Sequence, residues 1–429
     1  MAGSSTASSR AQSPSNLSSI PTVPSADPTI AYTEHEKKWV AKPEVRGLAK
    51  RFVNRLIKHQ TIDGFTDDEV NVILNTTIEL LSPAPAFIRM TAPVVIFGDT
   101  HGQFSDLLRL FGHVGYPPST RVLFLGDYVD RGRKSIEIVM LLFALKLLYP
   151  TQVQVLRGNH ECAKMNRLYG FYEQCRRDRG VVLWKKFNQV FNELPLCCLV
   201  SERIICMHGG ISPDIKSLDT LYKLKKPRTH AECDTGVALD LMWSDPAAGA
   251  DACCSWQFNK MRNASWMFGT ESVKEFNRIL DIDIVVRAHE VCRNGHLFYC
   301  DKNLVTVFSA PNYCGTDGNA ASVMRVSKDL KYSFLTMKPR LNKNDLSKEK
   351  MELLDKQNKN DIKSPNPMPK GGPPGLASYS SLDMASSTTS SGTDSSESLA
   401  SDMSSSAAST ASSSCATTDT SSASKSSGK

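Results

Sequence analysis

Apolar residues gather in the middle of this chain and thin out toward both ends. Over residues 45–57 and 67–82 they recur at helical spacing, which predicts two helices. The pattern then changes. Residues 94–97 are a short apolar run of strand type ending in Gly98-Asp99, with a helical stretch at 104–111. Strand, polar loop and helix then repeat. Residues 121–125 end in Gly126-Asp127 and precede a helix over 135–149, and 153–156 end in Gly158-Asn159-His160-Glu161. Such repetition predicts β-α-β units, in which ligands collect outside the C-terminal ends of the strands. Further strands are expected at 199–207, 284–287, 304–309 and 321–326. The first runs into Met207-His208-Gly209-Gly210 and the second into Ala288-His289. The expected class is α/β, a central β-sandwich of two mixed sheets flanked by helices.

Composition adds boundaries. A length of 429 residues suits about two or three domains, or one large domain with loose ends. The uneven apolar distribution favours the second. Residues 1–45 are rich in Ser and Pro, and 346–429 are a low-complexity Ser-rich tail. Both are expected to be disordered, because such segments bury too little to offset the entropy of ordering. The catalytic domain is expected at 46–345. The net charge of +7 comes without a basic stripe, so no nucleic acid is expected. The longest apolar stretch, 138–148, is too short to span a bilayer and carries Lys146, so no membrane segment is expected. The N-terminus lacks the apolar run of a signal peptide. The 12 cysteines show no paired zinc spacing and read as reduced thiols of a cytoplasmic or nuclear protein.

The chemistry sits at the predicted strand ends: Asp99, His101, Asp127, Asp130, Arg131, Asn159, His160, His208 and His289. Taken singly, a Gly-Asp is a turn and a histidine is a packed ring. Five polar loops all at strand ends are a far more specific signal. Carboxylate, imidazole and amide donors suit divalent ions. Two such ions about 4 Å apart can clamp the attacking and leaving oxygens of a phosphate ester. A shared anionic ligand is then expected, and Asp127, central among the loops, is the candidate.

Three motifs resemble the signatures of the phosphoprotein phosphatase family: Gly98-Asp99-Thr100-His101-Gly102-Gln103, Gly126-Asp127-Tyr128-Val129-Asp130-Arg131-Gly132 and Arg157-Gly158-Asn159-His160-Glu161-Cys162. Leu241-Met242-Trp243-Ser244-Asp245-Pro246, Arg287-Ala288-His289 and Phe308-Ser309-Ala310-Pro311-Asn312-Tyr313-Cys314-Gly315 extend the resemblance, and Asn166-Arg167-Leu168-Tyr169-Gly170-Phe171-Tyr172 is similar to the type-1 branch. It implies the calcineurin-like metallophosphoesterase fold and two divalent ions, for which manganese, iron or zinc would serve. One ion would be held by Asp99, His101 and Asp127, the other by Asp127, Asn159, His208 and His289. It further implies hydrolysis of phosphoserine and phosphothreonine in proteins by a water activated between the ions. His160 would be the general acid and Asp130 its partner. Arg131, Asn159, Arg262 and Tyr313 would bind the substrate phosphate. Phosphoprotein substrates are the implied partners, with regulatory subunits docking in a hydrophobic channel that includes Ile284, Phe298, Leu330 and Phe334.

The chain departs from the family in places. Thr100 replaces an isoleucine and adds a hydroxyl that wants a partner. Residues 247–260 lack the type-1 acidic residues. Asn263 stands where the family has glycine, which bears on the placement of Arg262. Thr316 and Asp317 replace an acidic and aromatic pair, and Arg293 and Asn294 replace acidic positions. Altered substrate and toxin sensitivity is expected. Lys331 and Tyr332 are expected to narrow the docking channel. Two other functions stay open at this point: a different bimetal phosphoesterase acting on nucleotides or nucleic acid, and a catalytically weak decoy that binds regulators.

Overall fold

The computed structural model describes residues 28–248, 252 and 255–340. The expected tail at 346–429 and the first 27 positions lie outside the described residues. Fourteen strands are present among the described residues: β1 Phe87–Met90, β2 Val94–Phe97, β3 Val122–Phe124, β4 Val153–Val155, β5 Cys197–Val200, β6 Ile204–Met207, β7 Asp245–Pro246, β8 Trp256–Phe258, β9 Trp266–Phe268, β10 Ile284–Arg287, β11 His296–Tyr299, β12 Leu304–Val307, β13 Ala321–Val326 and β14 Tyr332–Met337. They form a six-stranded sheet in the order β1-β5-β6-β10-β12-β11, a five-stranded sheet β14-β13-β2-β3-β4, and a small sheet β7-β9-β8. Both large sheets are mixed. β2, β3 and β4 run parallel, as do β6, β10 and β12, while β13 and β14 are antiparallel.

Side-chain alternation along each strand builds a four-layer sandwich. Ile96 and Leu123 from the five-stranded sheet meet Ile204, Cys206 and Val286 from the six-stranded one in a shared inner core. On the opposite face, Val95, Phe97 and Phe124 pack against helices Pro43–His59, Asp67–Leu81, Phe104–Val114 and Ser135–Leu148. Leu199, Ile205 and Val285 face helices Gly236–Trp243 and Thr270–Leu280. Helix Ser135–Leu148 is apolar and buried on nearly every side, as expected for a helix in the middle of a layer. Helix Asp67–Leu81 opens with a capping box: Thr66 Oγ1 accepts from Glu69 N at 3.2 Å, and Glu69 Oε2 accepts from Thr66 N at 3.0 Å.

Two expectations need correction. The single strand read at 199–207 is a hairpin of β5 and β6. Ser201 and Glu202 turn it with φ of 47° and 60°, the consecutive positive values of a type I′ turn. The expected disordered extension to residue 45 is also too long, because Pro28–Lys38 is a helix. It has few apolar residues to signal it and is anchored by a buried polar contact instead. Glu36 is 3% exposed and pairs with Lys146, which is fully buried. No helix among the described residues is long and apolar enough to cross a membrane.

Candidate metal centre

The six expected metal ligands converge because strand ends from both sheets converge. Asp99 follows β2, Asp127 follows β3 and Asn159 follows β4. His208 follows β6 and His289 follows β10. The two sheets are tied at this end by a parallel bridge between Asp99 and Phe308. Ser309 N donates to the Asp99 carbonyl at 3.1 Å, and Ser309 Oγ accepts from Gly98 N at 2.9 Å. The loops adopt unusual backbone conformations: φ is positive at His101 (39°), Asp127 (54°), Asp130 (73°), Arg131 (67°) and His289 (68°). Non-glycine residues hold such values only where their surroundings over-determine them, typically at functional sites. Gly158 is required for closeness: a Cβ there would lie 2.2 Å from Asp127 Oδ1.

The donor geometry fits two cations. His101 Nδ1 donates to the Val129 carbonyl at 2.8 Å, which leaves Nε2 with its lone pair facing inward. That Nε2 lies 3.6 Å from Asp99 Oδ2 and 3.5 Å from Asp127 Oδ2. The same Asp127 Oδ2 lies 3.3 Å from His208 Nε2. His208 Nε2 in turn lies 2.9 Å from Asn159 Oδ1 and 3.1 Å from His289 Nδ1. Ligands about 2.1 Å from a tetrahedral ion stand ~3.4 Å apart. The donors therefore form two groups at ligand-to-ligand spacing, and one carboxylate oxygen belongs to both. All six side chains are buried, so their lone pairs turn toward one another and away from water.

The electrostatics agree with a site built for positive charge. Burial opposes a charged ring at His101, but the Asp99 and Asp127 carboxylates beside Nε2 outweigh this and hold the ring at about 9. Burial likewise works against ionising Asp127, yet His208 and His160 bring its carboxyl well below the usual range. Ligand groups that hold protons in this way release them when a metal binds. Glu161, which no sequence argument singled out, fixes the shared ligand from behind. Its carboxylate accepts from Asp127 N at 2.7 Å, Gly158 N at 3.0 Å and Tyr128 N at 2.8 Å. Burial and the Asp127 charge push it up to about 8. The signal was its place in the Gly-Asn-His-Glu motif.

His160 and Asp130 stand together as expected. His160 Nδ1 is 2.6 Å from Asp130 Oδ2, and His160 Nε2 lies 3.9 Å from Asp127 Oδ2. Asp130 Oδ1 accepts from Phe171 N at 2.9 Å. Arg131 Nε donates to the Tyr313 hydroxyl at 3.0 Å, and its guanidinium lies 4.2 Å from the centre of the Tyr169 ring. Tyr313 thus holds an arginine, and its ring stacks obliquely 5.1 Å from His101. Arg262 is brought to the site despite the altered loop. Its Nε donates to Asp245 Oδ2 at 2.8 Å, and Nη2 reaches the His289 carbonyl at 3.5 Å. Asn263 adopts φ of 51°, a conformation asparagine tolerates almost as glycine does. Asn259 braces the turn by accepting from Arg262 N at 3.1 Å and donating to Asp245 Oδ2 at 2.8 Å. The Thr100 hydroxyl is buried and makes no hydrogen bond, contrary to the expectation that it finds a partner.

At the edge of the inner core, Phe298, Leu330 and Phe334 are partly buried, while Ile284 lies within that core at 5% exposure. Tyr332 stands among these rings, 5.9 Å from Phe298 and 6.1 Å from Phe334. The Lys331 side chain is 85% exposed and pairs with Asp329 at 3.1 Å. His296, which the sequence did not flag, stacks on Phe334 at 3.9 Å.

Residues 92–293 match the family model of the calcineurin-like phosphoesterases. A Caenorhabditis elegans protein named "Putative serine/threonine-protein phosphatase C27B7.6" is 47% identical over 307 residues, which is 72% of this chain and 66% of that protein. The chain thus spans just under two thirds of that relative's length. A solved structure, described as a protein serine/threonine phosphatase from Saccharomyces cerevisiae with similarity to human phosphatase PP5, is 29% identical with a TM-score of 0.61. The match covers 68% of this chain and 97% of that one. The fold is the calcineurin-like phosphoesterase fold.

Proposed function

We propose that this chain, a member of the phosphoprotein phosphatase family of calcineurin-like phosphoesterases, hydrolyses phosphoserine and phosphothreonine in proteins. The observation that carries the reading is the single oxygen, Asp127 Oδ2, lying 3.5 Å from His101 Nε2 and 3.3 Å from His208 Nε2. Asp99, His101 and Asp127 would hold one divalent ion, and Asp127, Asn159, His208 and His289 the second. Manganese, iron and zinc all suit these donors. When bound, the pair lowers the pKa of water and offsets phosphate charge. The residues supply the rest. Asp130 fixes His160 through Nδ1, so Nε2 is left to give its proton to the departing serine or threonine oxygen. Arg131 and Arg262 present guanidinium forks to the phosphate oxygens, where they stabilise charge that grows in transfer. Tyr313 and Asp245 hold those forks in place through the bonds to their Nε atoms. Regulatory subunits would dock along the Phe298–Phe334 edge, with Tyr332 altering which peptides fit. A cytoplasmic or nuclear setting agrees with this role.

The test is turnover of a phosphoserine and phosphothreonine protein by the full chain with added manganese, beside His160→Ala and Asp127→Asn. The expected result is phosphate release that His160→Ala lowers by roughly 10²- to 10⁴-fold and Asp127→Asn abolishes. No release from a folded, metal-loaded sample would defeat the reading. Cleavage of a phosphodiester in its place would point to a different phosphoesterase, and binding of regulators alone to a decoy.

A further inference from the structure

Beside the His208 and His289 ligands, one guanidinium gathers the loops that carry the site. Arg287 ends β10, two positions before His289, and is fully buried. All three of its nitrogens are engaged. Nε donates to the carbonyl of Gly209, which follows His208. Nη1 donates at 2.9 Å to Oε2 of Glu290, which follows His289. Nη2 donates to Asp245 Oδ1 at 2.7 Å and to the Ser244 carbonyl at 3.2 Å. The other carboxylate oxygen, Asp245 Oδ2, accepts from Arg262 Nε and from Asn259 Nδ2, each at 2.8 Å. Arg262 Nη2 reaches the His289 carbonyl at 3.5 Å, and Ala288 N donates to the His208 carbonyl at 2.9 Å. These contacts close a ring that runs from Arg287 to Asp245, Arg262 and His289, and back along the chain to Arg287. The His208 loop has little slack within it, because a Cβ at Gly209 would lie 2.4 Å from the backbone of Met242 in helix Gly236–Trp243.

A buried charge needs partners wherever it lies, and the Asp245 and Glu290 carboxylates meet that need. The placement of the acceptors goes further. Gly209 adjoins one metal-site histidine, Glu290 adjoins the other, and Asp245 holds the arginine read as a phosphate clamp. We propose that Arg287 is a positioning residue for the reaction: through Asp245 it aims the Arg262 guanidinium and locks it to the His208 and His289 loops. Asp245 stands between two arginines and gives one oxygen to each. With Oδ1 held by Arg287, the carboxylate plane is fixed, and Oδ2 receives Arg262 Nε from a set direction. The Nη groups of Arg262 are then left for phosphate oxygens. The Arg262 side chain is 31% exposed, so it has room to swing once Asp245 turns. Lysine cannot replace this arginine. An ammonium offers its donors from one point, whereas the acceptors here are spread around a planar fork. The proposal rests on the reading of Arg262 as a phosphate clamp.

The test measures binding of inorganic phosphate to the full chain, loaded with manganese, by isothermal titration calorimetry. Four proteins are compared: the parent, Arg287→Lys, Arg262→Ala and the double variant, each checked for folding by circular dichroism. Arg287→Lys is expected to weaken phosphate by about tenfold, as for the loss of one hydrogen bond to a charged group. In the Arg262→Ala background the same change should cost less than about twofold, because residues that act through one another are not additive. The kcat/KM for a phosphopeptide should follow the same pattern. Arg287→Gln serves if the lysine variant does not fold. Asp245→Asn, which breaks the link from its other side with almost no change in volume, must reproduce the dependence on Arg262. Losses that multiply would mark Arg287 as a structural residue alone and overturn the proposal. So would parent-like phosphate affinity in the Arg287 variants, or an Asp245→Asn effect that persists in full without Arg262. A parent that binds no phosphate defeats the clamp and the proposal together. A parent that binds phosphate and shows the coupling, yet turns over no phosphoprotein, supports the proposal and defeats only the phosphatase reading.

Discussion

The buried contact that anchors helix Pro28–Lys38 permits a quantitative test. Lys146 sits in helix Ser135–Leu148 with its side chain fully buried, and Glu36 is 110 positions away in sequence. The Lys146 ammonium bonds to Glu36 Oε1, to the Pro150 carbonyl at 2.8 Å and to Gln154 Oε1 at 2.9 Å. Gln154 Nε2 closes the network on Glu36 Oε1 and Oε2 at 2.9 and 3.0 Å. Burial depresses the Lys146 pKa, and the Glu36 charge offsets this only in part. The ammonium thus depends on its partner. Removing one member of a buried pair costs about 3–5 kcal/mol, because the other charge is left without compensation, whereas replacing both by apolar groups is often neutral. Glu36→Leu is therefore expected to lower the melting temperature by about 6–10 °C, taking ~2 °C per kcal/mol for a body of this size. Lys146→Met should cost a similar amount. The double variant should recover most of the loss, with a coupling of about 2 kcal/mol or more. Differential scanning calorimetry of the four proteins closes the cycle, and hydrogen exchange over 28–38 reports whether the helix stays docked. Additive losses, with no recovery in the double variant, would refute the idea that the pair holds this helix.

Other expectations follow from the site and its surroundings. A chelator should lower the melting temperature, and manganese should restore it, since a ligand at 100 times its Kd adds about 2.7 kcal/mol per site; an unchanged transition would mean that these donors hold no ion. Tyr332→Cys should free the space between Phe298 and Phe334 and tighten binding of a type-1 docking peptide by about tenfold, the equivalent of roughly 1.4 kcal/mol; equal affinity by fluorescence polarisation would show that the ring does not obstruct docking. Burial, with the Arg109 and Arg325 charges, lowers the His113 pKa from 6.5. The unfolded chain therefore binds more protons in the interval just below 6.5, and stability rises with pH there. Urea titrations of His113→Gln should give a flatter slope than the parent across that interval, and identical slopes would remove His113 from the account.

The chemistry of this chain is legible where it is local. Asp99, Asp127 and Asn159 sit two, three and four positions beyond a strand, each next to a glycine. Both the strand and the glycine leave a mark in the sequence, because a strand is an apolar run and a crowded loop admits no side chain at Gly158. The ligands from the other sheet, His208 and His289, were readable because each follows an apolar strand run. What held them was not. Glu161 was visible only as a member of the Gly-Asn-His-Glu motif, since the backbone amides it binds do not show in the sequence, and Asp245 acts on an arginine whose loop matches the family poorly. The Arg262 loop shows why a mismatch need not displace a side chain. A left-handed asparagine and a bracing Asn259 hold the turn that brings Arg262 beside His289. Helix Pro28–Lys38 stands at the opposite extreme. Its anchoring partners, Lys146 and Gln154, lie in a helix and a strand that the apolar pattern had already assigned to the core. Lys146 served there only as an argument against a membrane span. A lone charge inside an otherwise apolar helix requires a counter-charge once that helix is buried all around. That demand was present in the sequence. It points to the existence of a partner, and only the fold identifies it as Glu36.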